Sequence, residues 1–233
     1  MNSPPHVMRT EAQVFRLSED VRATFVTRTY VHLMGAIGAF AGIEIYLFKS
    51  GLAEALARSM LGVSWLMVLG AFMVVSWLAS RVAHQARSLT AQYAALGGFI
   101  VAEALIFVPL LFVAQQYAPG VIQSAATVSL LGFGGLTLVA FFSRKDFSFL
   151  RSFLAYGGII ALVLIVAGLV FGFELGTYFS VGMVAFAGVA ILYDTSNILH
   201  HYPADRYVGA SLELFASVAL MFWYVLRLFM SRD

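Results

Sequence analysis

The 233-residue sequence contains no cysteine. That absence removes disulfides, thiolate metal sites, iron–sulfur ligation and cysteine nucleophiles together. Charge is equally scarce, at 11% of residues where an average soluble domain carries roughly a quarter. So few charges cannot clothe a water-soluble globule of this length, and the soluble α/β, barrel and sandwich classes are set aside before any motif is considered. The formal net charge of +2 comes from a handful of basic residues, which excludes a nucleic-acid footprint. The first 28 residues hold no continuous apolar core ahead of an Ala-x-Ala site, so they read as a short polar cytoplasmic tail, with residues 29–233 forming the membrane domain.

What is present is long apolar sequence. One run without Asp, Glu, Lys or Arg covers the 40 residues Ala104 to Ser143, and two more cover 22 residues each, Ser59 to Ser80 and Ser152 to Phe173. A helix needs about 20 apolar residues to cross a hydrocarbon layer of ~30 Å. Flanking charges and turns divide the chain into seven spans: Tyr30 to Phe48, Gly62 to Ser80, Thr90 to Val113, Val121 to Phe142, Phe153 to Phe173, Thr177 to Ile198 and Val208 to Phe229. Pro119-Gly120 splits the longest run, and Glu174 with Gly176 makes a very short turn between the fifth and sixth spans. The expected fold is therefore an all-α, polytopic bundle of seven transmembrane helices. With the N-terminus inside, ten basic residues fall on the inner side and four on the outer, which predicts a cytoplasmic N-terminus under the positive-inside rule. Glycines 35, 38, 42, 132, 134, 135, 182 and 188 are expected to let helices approach closely.

Ionisable groups within spans need a partner, an aqueous cavity or a route to the interface. Glu44 and Glu174 lie near outer ends and are expected to reach water. Asp194 and Glu213 flank the short polar link from His200 to Arg206 that joins the last two spans. In an antiparallel hairpin they fall at similar depth, about 5–10 Å below the inner interface. If they face each other, a shared proton or one Ca²⁺ is the natural solution; capping of local backbone, or pairing with Arg206 or Arg144, is the structural alternative. Glu103 lies mid-span with no basic residue nearby on its own helix, so it is either a neutral structural group or part of an ion or proton path.

Enzymatic constellations are missing. His200 and His201 are adjacent and lack the His-Glu-x-x-His spacing, His32 and His84 are separate, no Gly-x-Ser motif supports a rhomboid-type dyad, and Asp194 is the one Asp inside a span. No strict internal repeat supports an inverted-repeat transporter. The chain is read as a non-enzyme without a bound cofactor.

Three ordered segments carry a resemblance. Phe25-Val-Thr-Arg-Thr-Tyr30 opens the first span, Ser143-Arg-Lys-Asp146-Phe-Ser-Phe-Leu150 forms an inner connection, and Tyr193-Asp194-Thr195 is followed by Asn197-Ile-Leu-His200. Together with Ser211-Leu-Glu213-Leu-Phe215 they resemble the Bax inhibitor family of multi-span membrane proteins, its bacterial members above all, over residues 25 to 229. The resemblance implies a bacterial inner-membrane protein that leaks Ca²⁺ in a pH-sensitive way through carboxylates between the sixth and seventh spans. Asp194 matches the first sensor aspartate. The second falls at Ser217, where relatives commonly have Asp, leaving Glu213 as the available substitute. Arg81 is the nearest candidate for the basic residue that pairs with the sensor, and His200 closes the motif. A second role implied by some bacterial relatives is binding and modulation of a membrane-bound ATP-dependent protease.

Overall fold

The computed structural model describes residues 11–143 and 145–231, with side chains from residue 19 onward. Eight helices follow in order: α1 (Glu11–Lys49), α2 (Leu52–Leu61), α3 (Trp65–Gln85), α4 (Leu89–Tyr117), α5 (Val121–Ser143), α6 (Leu150–Phe171), α7 (Gly176–His200) and α8 (Tyr207–Met230). All but α2 are long and apolar enough to cross a membrane. Their outward faces bear Met67, Trp77, Phe171 and Tyr178, all largely exposed. Such a coat of large apolar side chains is stable against lipid and not against water. The chain is a multi-pass membrane protein with the expected seven-helix bundle.

Five of the expected spans lie within one of these seven helices, whereas Gly62 to Ser80 begins three residues before α3 and Phe153 to Phe173 ends two residues after α6. Two features were not legible. α1 runs unbroken from Glu11, so no structural boundary falls at residue 28, and the Arg22 and Arg28 side chains project from a helix continuous with the span. The connection after Lys49 folds into α2, whose Ala53 and Ala57 are buried in a small cluster with Leu47 and Val108. Ten residues rise only about 15 Å, so α2 lies at the bundle end without crossing.

α8 is the central helix and touches α1, α3, α4, α5 and α7, whereas among the described helices α6 touches α7 and α3 alone. In lipid, burial of an apolar side chain gains no transfer free energy, so packing rests on dispersion and on hydrogen bonds between helices. Accordingly Phe107 of α4 stacks on Phe222 of α8 at 5.5 Å with the rings 9° from parallel. Close approach is made by fewer glycines than expected. A Cβ at Gly132 or Gly188 would meet Met221 or Leu136, but Gly35, Gly38, Gly42, Gly134, Gly135 and Gly182 have nothing within 4 Å at that position. Close contacts between helices are also made at Gly157, against Phe186, and at Gly209, against Ala83 and His84.

Gly209 holds the α3–α8 contact that shapes the site below. Gly209→Val is expected to wedge these helices apart and destabilise the bundle by about 1–3 kcal/mol. Thermal unfolding in detergent measures it; an unchanged transition would show that α3 and α8 are not tightly seated.

Basic side chains gather at the bundle end formed by the α1 approach and the α3–α4, α5–α6 and α7–α8 connections. Several cap helix carbonyls there. Arg22 donates to the carbonyls of Ile198 (3.4 Å) and Tyr202 (2.7 Å), and Arg206 donates to that of Ala86 (2.7 Å). The last carbonyls of α7 and α3 are thus satisfied by cations, which also suit the negative ends of the helix dipoles.

Candidate functional site

At 100° per residue, successive positions on α7 face different neighbours, and the segment Asp194-Thr195-Ser196 uses this fully. Asp194 Oδ2 accepts a hydrogen bond from Ser217 Oγ of α8 at 2.6 Å. Thr195 Oγ1 accepts one from the Tyr30 hydroxyl of α1 at 3.5 Å. Ser196 Oγ accepts one from the Phe147 amide of the α5–α6 connection at 2.8 Å. One turn of α7 therefore ties together α8, α1 and that connection.

The motif segments converge here. Phe25 stacks on Tyr202 in the α7–α8 connection. Asp146 takes the Ser148 amide on one oxygen and His201 Nε2 on the other, at 2.8 and 2.9 Å. The Ser148 amide, with help from His201, lowers the Asp146 carboxyl below the ordinary aspartate range. Its contribution to holding the connection is therefore complete above that range and fades as pH falls through the lowered value. Protection of the residue 145–150 amides, taken relative to their intrinsic exchange at each pH, is expected to fall only in acid, and Asp146→Asn to lower it at neutral pH. Identical exchange in the two proteins at neutral pH would show that Asp146 does not hold the loop.

Beside Asp194, Glu213 Oε1 accepts a hydrogen bond from Ser80 Oγ at 2.9 Å and lies 3.7 Å from His84 Nε2. His84 Nδ1 is 2.8 Å from the Ser80 carbonyl, which can only accept, so Nδ1 carries a proton. In the neutral ring Nε2 then accepts from the Tyr202 hydroxyl at 3.0 Å. Burial, and after it the nearby carboxylates of Glu213 and Asp194, push the Tyr202 phenol above its ordinary range and keep it a donor.

These groups line a vestibule of about 500 Å³ at the basic end, together with Trp77, Arg81, Gln85, Tyr193 and Asn197. A second, mainly apolar cavity of about 1290 Å³ runs from Glu103 and Ser217 to Glu174, Arg227 and Ser231 at the far end. Tyr193, Asp194 and Glu213 are common to the polar vestibule and the larger, mainly apolar cavity.

The expected site residues fall as follows. Asp194 and Glu213 share one cavity wall, but the hydrogen-bond partner of Asp194 is Ser217 and that of Glu213 is Ser80, so no carboxyl–carboxylate bond joins them. Arg81 lines the vestibule with its guanidinium over the Trp77 ring and its Nε toward Gln85, and it is paired with neither acid. Arg206 is engaged at Ala86 and Asp205, and Arg144 lies outside the described residues. His200 bonds the Ser196 carbonyl and serves the helix end. Glu103 is buried on the wall of the large cavity. Glu44 does not reach water: both its carboxyl oxygens are buried without a hydrogen-bond partner among the described residues, because α2 and its neighbours cover that end of α1. No group of three or more His, Asp or Glu among the described residues is arranged to hold a metal ion. Ser80, His84 and Tyr202 were missed because their link to Glu213 is made across three elements. The one sequence signal was His84 four residues after Ser80, which places both on one face of α3.

Fold and site together define a polytopic helix bundle in which two carboxylates line both a polar vestibule and a larger, mainly apolar cavity. Residues 22–233 match the family described as Inhibitor of apoptosis-promoting Bax1. The chain belongs to the Bax inhibitor family, a family of non-enzymatic membrane proteins. It is 35% identical over 112 residues to an uncharacterized protein of Pseudomonas aeruginosa, covering 47% of this chain and 49% of the relative. It is 31% identical over 142 residues to Bax inhibitor 1 of Schizosaccharomyces pombe, covering 58% and 48%. These alignments span about half the length of each relative. With a Deinococcus radiodurans protein the identity is 29% over 223 residues, covering 90% of this chain and 91% of the relative.

Proposed function

We propose that this protein is a pH-sensitive cation leak, with Ca²⁺ as the permeant ion, in a bacterial cytoplasmic membrane and with its basic end toward the cytoplasm. The observation that carries the reading is the shared wall: Asp194 and Glu213 line both the vestibule and the large cavity, and the Asp194–Ser217 hydrogen bond ties α7 to α8 between them. Breaking that bond would join the two volumes. Two carboxylates present too few oxygens for a resident Ca²⁺, which takes six to eight. They suit an ion that passes with most of its water, since conduction needs binding weak enough for release.

Proton dependence has a physical route through these groups. A proton on Asp194 or Glu213 removes negative charge from the wall and favours the closed contact. A proton on His84 gives Nε2 a hydrogen directed at Glu213 and removes its acceptor for Tyr202, which draws α3 toward α8. Both effects favour closure as pH falls; Arg81 supplies the remaining positive charge facing the vestibule.

Ca²⁺ flux into proteoliposomes as a function of pH tests the reading. The wild type is expected to exceed empty liposomes, with flux falling toward acid pH, and His84→Gln to lessen that fall. Wild-type flux no greater than that of empty liposomes would remove the leak. The regulatory role would then lead, with recovery of a stoichiometric ATP-dependent protease from native membranes as its test.

A further inference from the structure

Glu103 lies 14 residues from either end of α4, about 21 Å along the helix, so its carboxyl cannot reach either interface. The side chain is 7% exposed and has no hydrogen-bond or ion-pair partner among the described residues, yet it lines the 1290 Å³ cavity. A charged carboxylate at that depth requires a counter-charge, and the described residues supply none. A cation in the cavity would supply it.

The surrounding wall is aromatic. Phe99 and Phe107 lie four residues to either side of Glu103, so all three share one face of α4. Trp65 and Phe72 of α3 and Trp223 of α8 line the same cavity. Trp65 and Trp223 are stacked at 6.4 Å, and Phe107 meets Trp223 edge-on at 4.9 Å. A small inorganic cation would find one carboxylate and too few oxygens here. An organic cation would find a counter-charge, ring faces for cation–π contact and apolar surface for its substituents. We propose that the cavity at Glu103 is a binding site for lipophilic organic cations, with Glu103 as the counter-ion and the aromatic wall as the recognition surface.

Charge complementarity selects this occupant over a neutral acyl chain, which would leave the carboxyl as uncompensated as before. The site stands independently of the leak, because occupancy is read at equilibrium without flux. The cavity is large enough for the ligand class, since drug-sized sites commonly measure about 300–1,000 Å³.

The test is equilibrium binding of tetraphenylphosphonium to the full-length protein in detergent, followed by tryptophan fluorescence and checked by equilibrium dialysis. Saturable binding is expected. Glu103→Gln should weaken it about tenfold or more, Glu103→Asp should retain most of it, and Phe99→Leu should weaken it severalfold. Neutral triphenylphosphine oxide should bind wild type and Glu103→Gln alike, and more weakly than the cation binds the wild type. The inference is overturned if tetraphenylphosphonium does not bind, if cation and neutral compound bind the wild type equally, or if Glu213→Gln weakens binding and a folded Glu103→Gln does not. Should Glu103→Gln fail to fold, the comparison of cation with neutral compound on the wild type still decides.

Discussion

Asp194→Asn is expected to erase most of the pH dependence of cation flux while leaving the bundle folded. Asn has the shape of Asp and its amide oxygen can still accept the Ser217 hydroxyl, so the α7–α8 contact remains. What disappears is the charge. With a neutral residue at 194 there is no charge for a proton to remove from the wall, so acid no longer favours the closed contact there. The ratio of flux between alkaline and acid conditions should fall by about tenfold, equivalent to about 1.4 kcal/mol. Flux into proteoliposomes, with thermal unfolding as a control for folding, measures both parts. A profile that overlays the wild type would remove Asp194 from the gate. Glu213→Gln should then be compared alone and combined with Asp194→Asn; because both residues line one wall, their effects should not add.

Ser217→Asp should have the opposite character and the largest effect on stability. Ser217 Oγ now lies 2.6 Å from Asp194 Oδ2, so a carboxylate introduced there stands against the first. At acid pH one shared proton can bridge the pair and hold α7 to α8. As pH rises and both ionise, like charges ~4 Å apart in an effective dielectric of ~20 repel by about 4 kcal/mol. The unfolding temperature of this variant should therefore fall steeply with rising pH, and its flux should climb more steeply than that of the wild type. Parallel behaviour of the two proteins across the pH range would mean that position 217 does not face Asp194 in the membrane.

Much of this architecture is legible in composition because the bilayer imposes it. A helix must satisfy its own backbone in hydrocarbon and must be about 20 residues long, so uncharged runs bounded by Arg, Lys, Pro-Gly or Gly mark spans directly. The link between α6 and α7 shows the limit of that reading: only residues 172–175 separate the helices, and Gly172 at φ 72° and Gly176 at φ 67° allow the chain to reverse there. α2 escaped because ten residues of mixed character carry no spanning signal. Glu44 was misplaced because nearness to a helix end along the chain does not say what covers that end in space.

For the site, the sequence by itself determined which carboxylates fall within spans and that Asp194 and Glu213 lie at similar distances along their helices from the α7–α8 connection, because a fixed rise per residue converts position into distance. It also placed Asp194 within a motif that resembles one of the Bax inhibitor family, to which the chain belongs. Only the tertiary structure decided which groups meet. Facing depends on the rotation of each helix about its axis, and α3, α7 and α8 bring Ser80, His84, Asp194, Glu213 and Ser217 together from positions up to 137 residues apart. The same rotation turns Arg81 onto Trp77 and away from the acids, and turns Glu103 into a cavity lined by aromatic rings. Neither outcome is written in spacing along one helix, since each is fixed by how neighbouring helices seat against α8.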